Sequence, residues 1–441
     1  MAPPLATLLW LVAQSGVSPL QARVDAAPPA SVVIVDAGTY EGDLTIDRPV
    51  RLVGRGRPRL VGSGAGTVVR ITAPDVTLDG FDIDGRKGGS LANDSAGVHV
   101  SAPRATIRDC RVERSLFGIY VREANDVRLE GNTIAGLPGA DPGDQGSGIH
   151  LFNTTGFTLI GNRVRESRDG IYLQSSSHGY IAGNVVTDVR YGLHYMYSDD
   201  NVFEDNRFER SAAGAALMYS TRIVLRRNQF VHNRGFASVG ILLQACDEVL
   251  AEDNLIEDNA RGVFLEGTHR DVFRRNAIAT SDTAIVLYDS AVESRFEGNS
   301  FVGNLSPLQL IGRRTDTVFR GNYWSDADEP DLDGDGFRDR AYRLSNVFDH
   351  LRGNLTAADL FAQSLGAAVV SGAERAFPVL DAIPVEDPQP LVRPPVLRAV
   401  PVLPSDAARG QALELGASVV CVASGLAVLI AGGRRITAGR P

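Results

Sequence analysis

GIYLQSSSHGYIAGN (170–184), followed by VVTDVRY and then GLHYMYSDDNVFEDN (192–206), decides the fold. Each quoted segment opens on glycine, places apolar residues one and three positions later, and closes on an asparagine fourteen positions after the glycine. Upstream stand GIYVREANDVRLEGN (118–132) and GIHLFNTTGFTLIGN (148–162); downstream stand GAALMYSTRIVLRRN (214–228), GILLQACDEVLAEDN (240–254) and GVFLEGTHRDVFRRN (262–276). A last unit, AIVLYDSAVESRFEGN (284–299), is one residue longer and begins with alanine. The glycines step by 22 residues from 148 to 170, 192 and 214, and again from 240 to 262. Apolar spacing of two is a strand's period, not a helix's, so a helical solenoid is excluded. Two short strands per unit, repeated at fixed length, predict an all-β, right-handed parallel β-helix in which each coil pairs with the coils on either side.

Side chains alternate along a strand, so the residues one and three after each glycine point inward and those two and four after it point outward. The recurring asparagine, at 132, 162, 184, 206, 228, 254, 276, 299 and 322, falls where the chain turns. Stacked asparagines can hydrogen-bond the backbone from coil to coil, which predicts an internal ladder. Cys110 stands 22 residues before Asn132, in the slot an asparagine would fill, and is read as structural. Two units are longer: GLPGADPGD before Gly148 and four extra residues within QFVHNRGFASV before Gly240. Insertions on a solenoid project from one edge. The helix is expected to begin within residues 31–54 and to end near Trp324.

The chain has 441 residues and a formal net charge of −9, which argues against nucleic acid as the main partner, because phosphate binding needs a basic surface. Three cysteines without CxxC spacing exclude a disulfide framework or a zinc knuckle. LATLLWLVAQSGV (5–17) is too short to span a bilayer and precedes SPLQA, the pattern of a cleaved secretory signal ending near Ala22. LGASVVCVASGLAVLIAGG (415–433) is uncharged over about the ~20 residues a bilayer requires, and Arg434, Arg435 and Arg440 follow it. The expected organisation is a signal over 1–22, the β-helix over 23–324, and a cap with an acidic loop and a helix over 325–395. A proline-rich linker over 396–412 and a C-terminal transmembrane helix with a cytoplasmic tail over 413–441 complete it, so the body would be periplasmic and membrane-tethered.

In GLHYMYSDD (192–200), His194 and Met196 point outward, and Met218 occupies the neighbouring position of the next coil. Soft thioethers with an imidazole suit Cu(I), so His194, Met196 and Met218 form a candidate transient copper site. The same face, continued through His150, Phe152 and Tyr172, can equally be an exposed aromatic docking strip. DLDGDGFRD (331–339) sets Asp331, Asp333, Asp335 and Asp339 at positions 1, 3, 5 and 9 of a calcium loop, with Gly336 at the sharp turn. Position 12 is Tyr342 rather than glutamate, so an acidic solvated turn is the alternative. TAADLFAQSLGAAVVSGAERAF (356–377) has a helical period, with Leu360, Phe361, Leu365 and Val369 on one face. The outward columns carry only one acid, Glu266, and no GxSxG, HExxH or P-loop occurs, so no enzymatic activity is expected.

The repeats, the end NYWSDADEPDLDGDGFRDRAY (322–342) and the tail LFAQSLGAAVVSGAERAFPVL (360–380) together resemble the NosD family of nitrous oxide reductase maturation proteins, over about residues 30–395. The resemblance implies a periplasmic accessory protein working with the membrane and ATP-binding subunits of an ABC transporter and with a copper chaperone. Its implied task is assembly of the copper-sulfur centre of nitrous oxide reductase. Alternatives are a carbohydrate-binding or carbohydrate-cleaving β-helix, and a metal-free scaffold bridging transporter and reductase.

Overall fold

The computed structural model describes residues 18–344 except Phe236 and Arg313, together with Gly366, Val369 and residues 385–396. The apolar run at 5–17 and the expected anchor at 413–441 lie outside the described residues, as do the expected linker beyond Val396 and all of the expected cap helix except Gly366 and Val369, which are both helical. No helix among the described residues is long and apolar enough to cross a membrane.

Strands run from Val32 to Trp324 in three parallel sheets of 13, 13 and 12 strands, each strand bonded to those one coil before and after it. Each coil therefore has three strands, where the sequence pattern predicts two. The overlooked strand follows the asparagine, as in Val185–Thr187, and is three residues long. In a strand that short only the middle residue, here Val186, joins the core, while its neighbours Val185 and Thr187 are buried as well, so there is no alternation to read.

Inward residues lie in register. Leu159, Ile181, Phe203 and Leu225 form one column and Val164, Val186, Phe208 and Phe230 another. All are essentially solvent-free, each contributing roughly 1.5–3 kcal/mol relative to exposure. Aromatic members stack from coil to coil, as do Phe273, Phe296 and Phe319 with ring centroids 4.6 and 5.1 Å apart. The repeat glycine has a packing cause. A Cβ on Gly170 would come within 2.1 Å of Val186 Cγ1 and 2.6 Å of the Gly192 carbonyl oxygen, so the third sheet can approach the second only without a side chain there.

The asparagine ladder is present. Asn184 donates its backbone N–H and its Nδ2 to Asn206 Oδ1, both at 2.9 Å, and Nδ2 also to the Leu159 carbonyl. Cys110 fills the slot read for it, its backbone N–H donating to Asn132 Oδ1 at 3.0 Å. At the far end of the described coils, Asp387 takes the place of the next asparagine. Its carboxylate accepts from Gly321 N–H, Asn322 N–H and Asn322 Nδ2 at 2.8–3.0 Å.

The opposite end is closed by helix α1, Pro19–Asp25, whose N-cap Ser18 accepts from Gln21 N–H. Its Leu20 and Val24 are buried, and Gln21 forms a two-way pair of bonds with the Thr45 backbone. The expected signal boundary at Ala22 falls in the middle of this helix.

Candidate functional site

Among the coils described above, the strand Tyr191–Met196 lies in the third sheet between Asp169–Gln174 and Ala213–Thr221. Its outward positions are His194, level with Tyr172 and Ala216, and Met196, level with Gln174 and Met218. The two methionines are thus brought together as neighbours about ~4.8 Å apart along the solenoid. Tyr172 ties this group together. Its ring lies flat on the His194 imidazole, centroids 4.1 Å apart and planes 8° apart, while its hydroxyl sits 3.6 Å from Met196 Sδ. Imidazole and thioether therefore flank the same phenol.

Behind His194 stands a charged cluster that sequence reasoning missed. Asp169 is wholly buried and accepts from Arg190 Nε and Nη2, both at 2.8 Å, while His194 Nδ1 lies 3.0 Å from Asp169 Oδ2. Burial opposes ionisation of Asp169, but the bonds from His194 and Arg190 outweigh it and hold the carboxyl below the usual carboxylate range. Arg190 also lies 4.4 Å over the Tyr191 ring, and Tyr191 meets His194 edge-on at 5.2 Å. The available signal was Asp169 itself, an acid immediately before a repeat glycine, at a position filled by Tyr191 and Ala213 in the next two coils.

The outward column runs back through Tyr172, His150, Tyr120 and His99, with successive ring centroids 4.1–5.3 Å apart. It is outward but not exposed. His150 is 7% and Tyr172 9% accessible, with the Phe117 ring packed against His150 and Leu91 against Phe117 and Tyr120. Burial pushes the His150 imidazole down to about 3 and that of His99 down to about 4, so both are neutral at physiological pH. An exposed docking strip at His150 and Tyr172 is therefore corrected. Alternation decides which way a side chain points, whereas packing by neighbours such as Phe117 on His150, with Leu91 against the Phe117 and Tyr120 cluster, decides whether water reaches it. Phe152 remains partly open under the Arg122 guanidinium, as do Met196 and Met218.

A second missed feature lies beside the methionines. Tyr197 and Tyr219 occupy left-handed backbone positions, φ 51° and 53°, where Asn153 and Ser175 stand in the preceding coils. Bulky residues are uncommon there. Their rings stack at 5.1 Å and are 54% and 46% exposed.

In the acidic loop, Asp331, Asp333 and Asp335 each offer an oxygen within 4.8 Å of the others. Asp339 instead accepts from Leu332 N–H at 2.7 Å. Glu266 accepts from Gln244 Nε2, and no second carboxylate faces it in its column of Gln174, Met196, Met218 and Gln244.

Fold and site together define a long parallel β-solenoid with a sheltered imidazole–thioether group on one face. A family described as periplasmic copper-binding protein (NosD) matches residues 134–329. A probable ABC transporter binding protein NosD of Stutzerimonas stutzeri is 36% identical over 378 residues, covering 81% of this chain and 86% of its own. One of the same description from Pseudomonas aeruginosa is 36% identical over 384 residues, covering 83% and 89%. The chain belongs to the NosD family. Among solved structures, the A-module of mannuronan C-5 epimerase AlgE6 from Azotobacter vinelandii has a TM-score of 0.56 at 16% identity, over 68% of this chain and 93% of that one. The N-terminal fragment of bacteriophage phi29 gene product 12 has a TM-score of 0.57 at 10% identity, over 68% and 62%. At these identities they share the solenoid alone.

Proposed function

We propose that this chain is a periplasmic accessory protein of an ABC transporter that receives Cu(I) and passes it toward the copper-sulfur centre of nitrous oxide reductase, with His194, Met196 and Met218 as the transient ligands. The observation that carries the reading is Tyr172, which touches both the imidazole and a thioether and so gathers the soft donors that suit Cu(I) on a partly open face. The relatives' descriptions, copper-binding and ABC transporter binding, agree with it. The stacked, exposed pair Tyr197 and Tyr219 beside the methionines is the docking element, where a copper chaperone or the reductase would land while the ion changes hands. The membrane and ATP-binding subunits of the transporter are the remaining partners, with the C-terminal segment as the tether.

The role is non-enzymatic. Hydrolysis of a glycosidic bond ordinarily uses a pair of carboxylates flanking it, and the column containing Glu266 offers one. The loop of Asp331, Asp333 and Asp335 is proposed as a structural calcium site, since an oxygen of each lies within 4.8 Å of the others.

Anaerobic Cu(I) titration against a competing chelator tests the reading. Wild-type protein should bind one ion, and Met196→Ala with Met218→Ala should abolish binding while leaving the far-ultraviolet spectrum unchanged. Equal binding by both proteins would move the site elsewhere, and binding by neither would leave a metal-free scaffold.

A further inference from the structure

His194 is held on more sides than a core histidine requires. Asp169 takes Nδ1, Tyr172 covers one ring face and Tyr191 presses edge-on. Asp169 is itself fixed by two bonds from Arg190, whose guanidinium stacks on Tyr191. The contacts close a ring: Asp169 to Arg190, Arg190 to Tyr191, Tyr191 to His194, and His194 back to Asp169. No group among the described residues hydrogen-bonds Nε2 of this imidazole, although Nδ1 is engaged at 3.0 Å.

This asymmetry has a chemical meaning. A carboxylate is an acceptor only, so its bond to a neutral imidazole requires the ring proton on Nδ1. The lone pair is then on Nε2. The outer carboxylate of a carboxylate–histidine–metal triad works in this way: it sets the tautomer, fixes the ring plane and makes the remaining nitrogen more basic.

We infer that Asp169, locked by Arg190 and Tyr191, is the positioning residue of this face, presenting His194 as an Nδ1–H tautomer whose Nε2 is directed to a soft monovalent metal ion. The inference rests on the copper reading above and adds what makes His194, unlike His99 and His150 in the same column, competent as a ligand. Those two lack a carboxylate partner. His150 has neither ring nitrogen bonded, and His99 has Nδ1 unbonded. Nothing sets their tautomer.

The test combines a tautomer readout with an affinity readout on the purified protein. With 15N-labelled histidine and the His194 signals assigned through His194→Gln, wild-type protein should show Nδ1 protonated and Nε2 bare before any metal is added. Asp169→Asn should lose that single tautomer and bind Cu(I) roughly 10–100-fold more weakly by chelator competition. Met196→Ala with Met218→Ala should keep the tautomer and lose the ion, so ligand and positioning roles separate. Arg190→Gln, which leaves the Asp169–His194 bond, should cost less affinity than Asp169→Asn. Wild-type protein that binds Cu(I) while Asp169→Asn binds equally well overturns the positioning role alone. Wild-type protein that binds no Cu(I) overturns the copper reading and the ligand role with it. An Nε2-protonated His194 in the wild-type protein overturns the inference even if Asp169→Asn does not fold.

Discussion

Asp271 occupies the turn position that Asn201 fills in an earlier coil, and replacing it by asparagine makes a quantitative test of the packing described here. It is wholly buried. Oδ1 accepts from Val249 N–H at 2.9 Å, and burial, outweighing the bonds from Val249 N–H and the Thr268 side chain, pushes the carboxyl up to about 7 from its ordinary 3.8. The folded state thus holds a proton that the unfolded chain releases near pH 4. The sign follows from the raised value: stability is intact below about pH 4, falls as pH rises toward about 7, and is flat above that. A rise of about three units, at ~1.36 kcal/mol each, makes the ionised acid a penalty of up to ~4 kcal/mol. Asn201 shows how an amide fits this column, accepting from Gly179 N–H and donating from Nδ2 to the Ser176 carbonyl. In the Asp271→Asn variant the corresponding carbonyl is that of Cys246. Guanidinium unfolding followed by circular dichroism should therefore show the variant close to wild type at about pH 4 and more stable by ~3–4 kcal/mol at about pH 8. A difference independent of pH, or a variant less stable at about pH 8, would refute the protonated-acid account.

The other predictions concern the ladder, the two ends and the thiols. Asn228→Ala removes the acceptor of both Asn206 N–H and Asn206 Nδ2, leaving two buried donors unpaired, and should cost ~3–5 kcal/mol in urea unfolding. Asp387→Ala should strip amide-exchange protection from Gly321 and Asn322 while leaving residues 170–206 protected, because it opens only the terminal rung. The processed protein should retain Ser18–Asp25, since a cut at Ala22 would remove the cap Ser18 and the buried Leu20; intact mass of the periplasmic form decides this. Burial pushes the Cys110 and Cys246 thiols up to about 12, so peptides containing either should remain unalkylated by iodoacetamide in native protein at about pH 8 and become labelled only on unfolding.

The strand period, the direction of the four side chains after each repeat glycine, the asparagine ladder and the place of Cys110 were all legible in the order of residues. They are local quantities: alternation sets direction, and a fixed 22-residue step sets register. So was the pairing of Met196 with Met218, because register alone makes them neighbours. What tertiary structure decided is accessibility and partnership. Whether His150 and Tyr120 meet solvent depends on Phe117, whose ring packs on both, and on Leu91, which packs against that cluster from outside the repeat. The bond from Asp169 to His194 joins residues 25 apart in sequence. The bond that ends the asparagine ladder reaches from Asn322 to Asp387, a chain separation of 65 residues. Neither follows from a period, because a repeat specifies what recurs, while a buried charge and a terminal cap are single events whose partners are chosen by the space left when the repeats have packed.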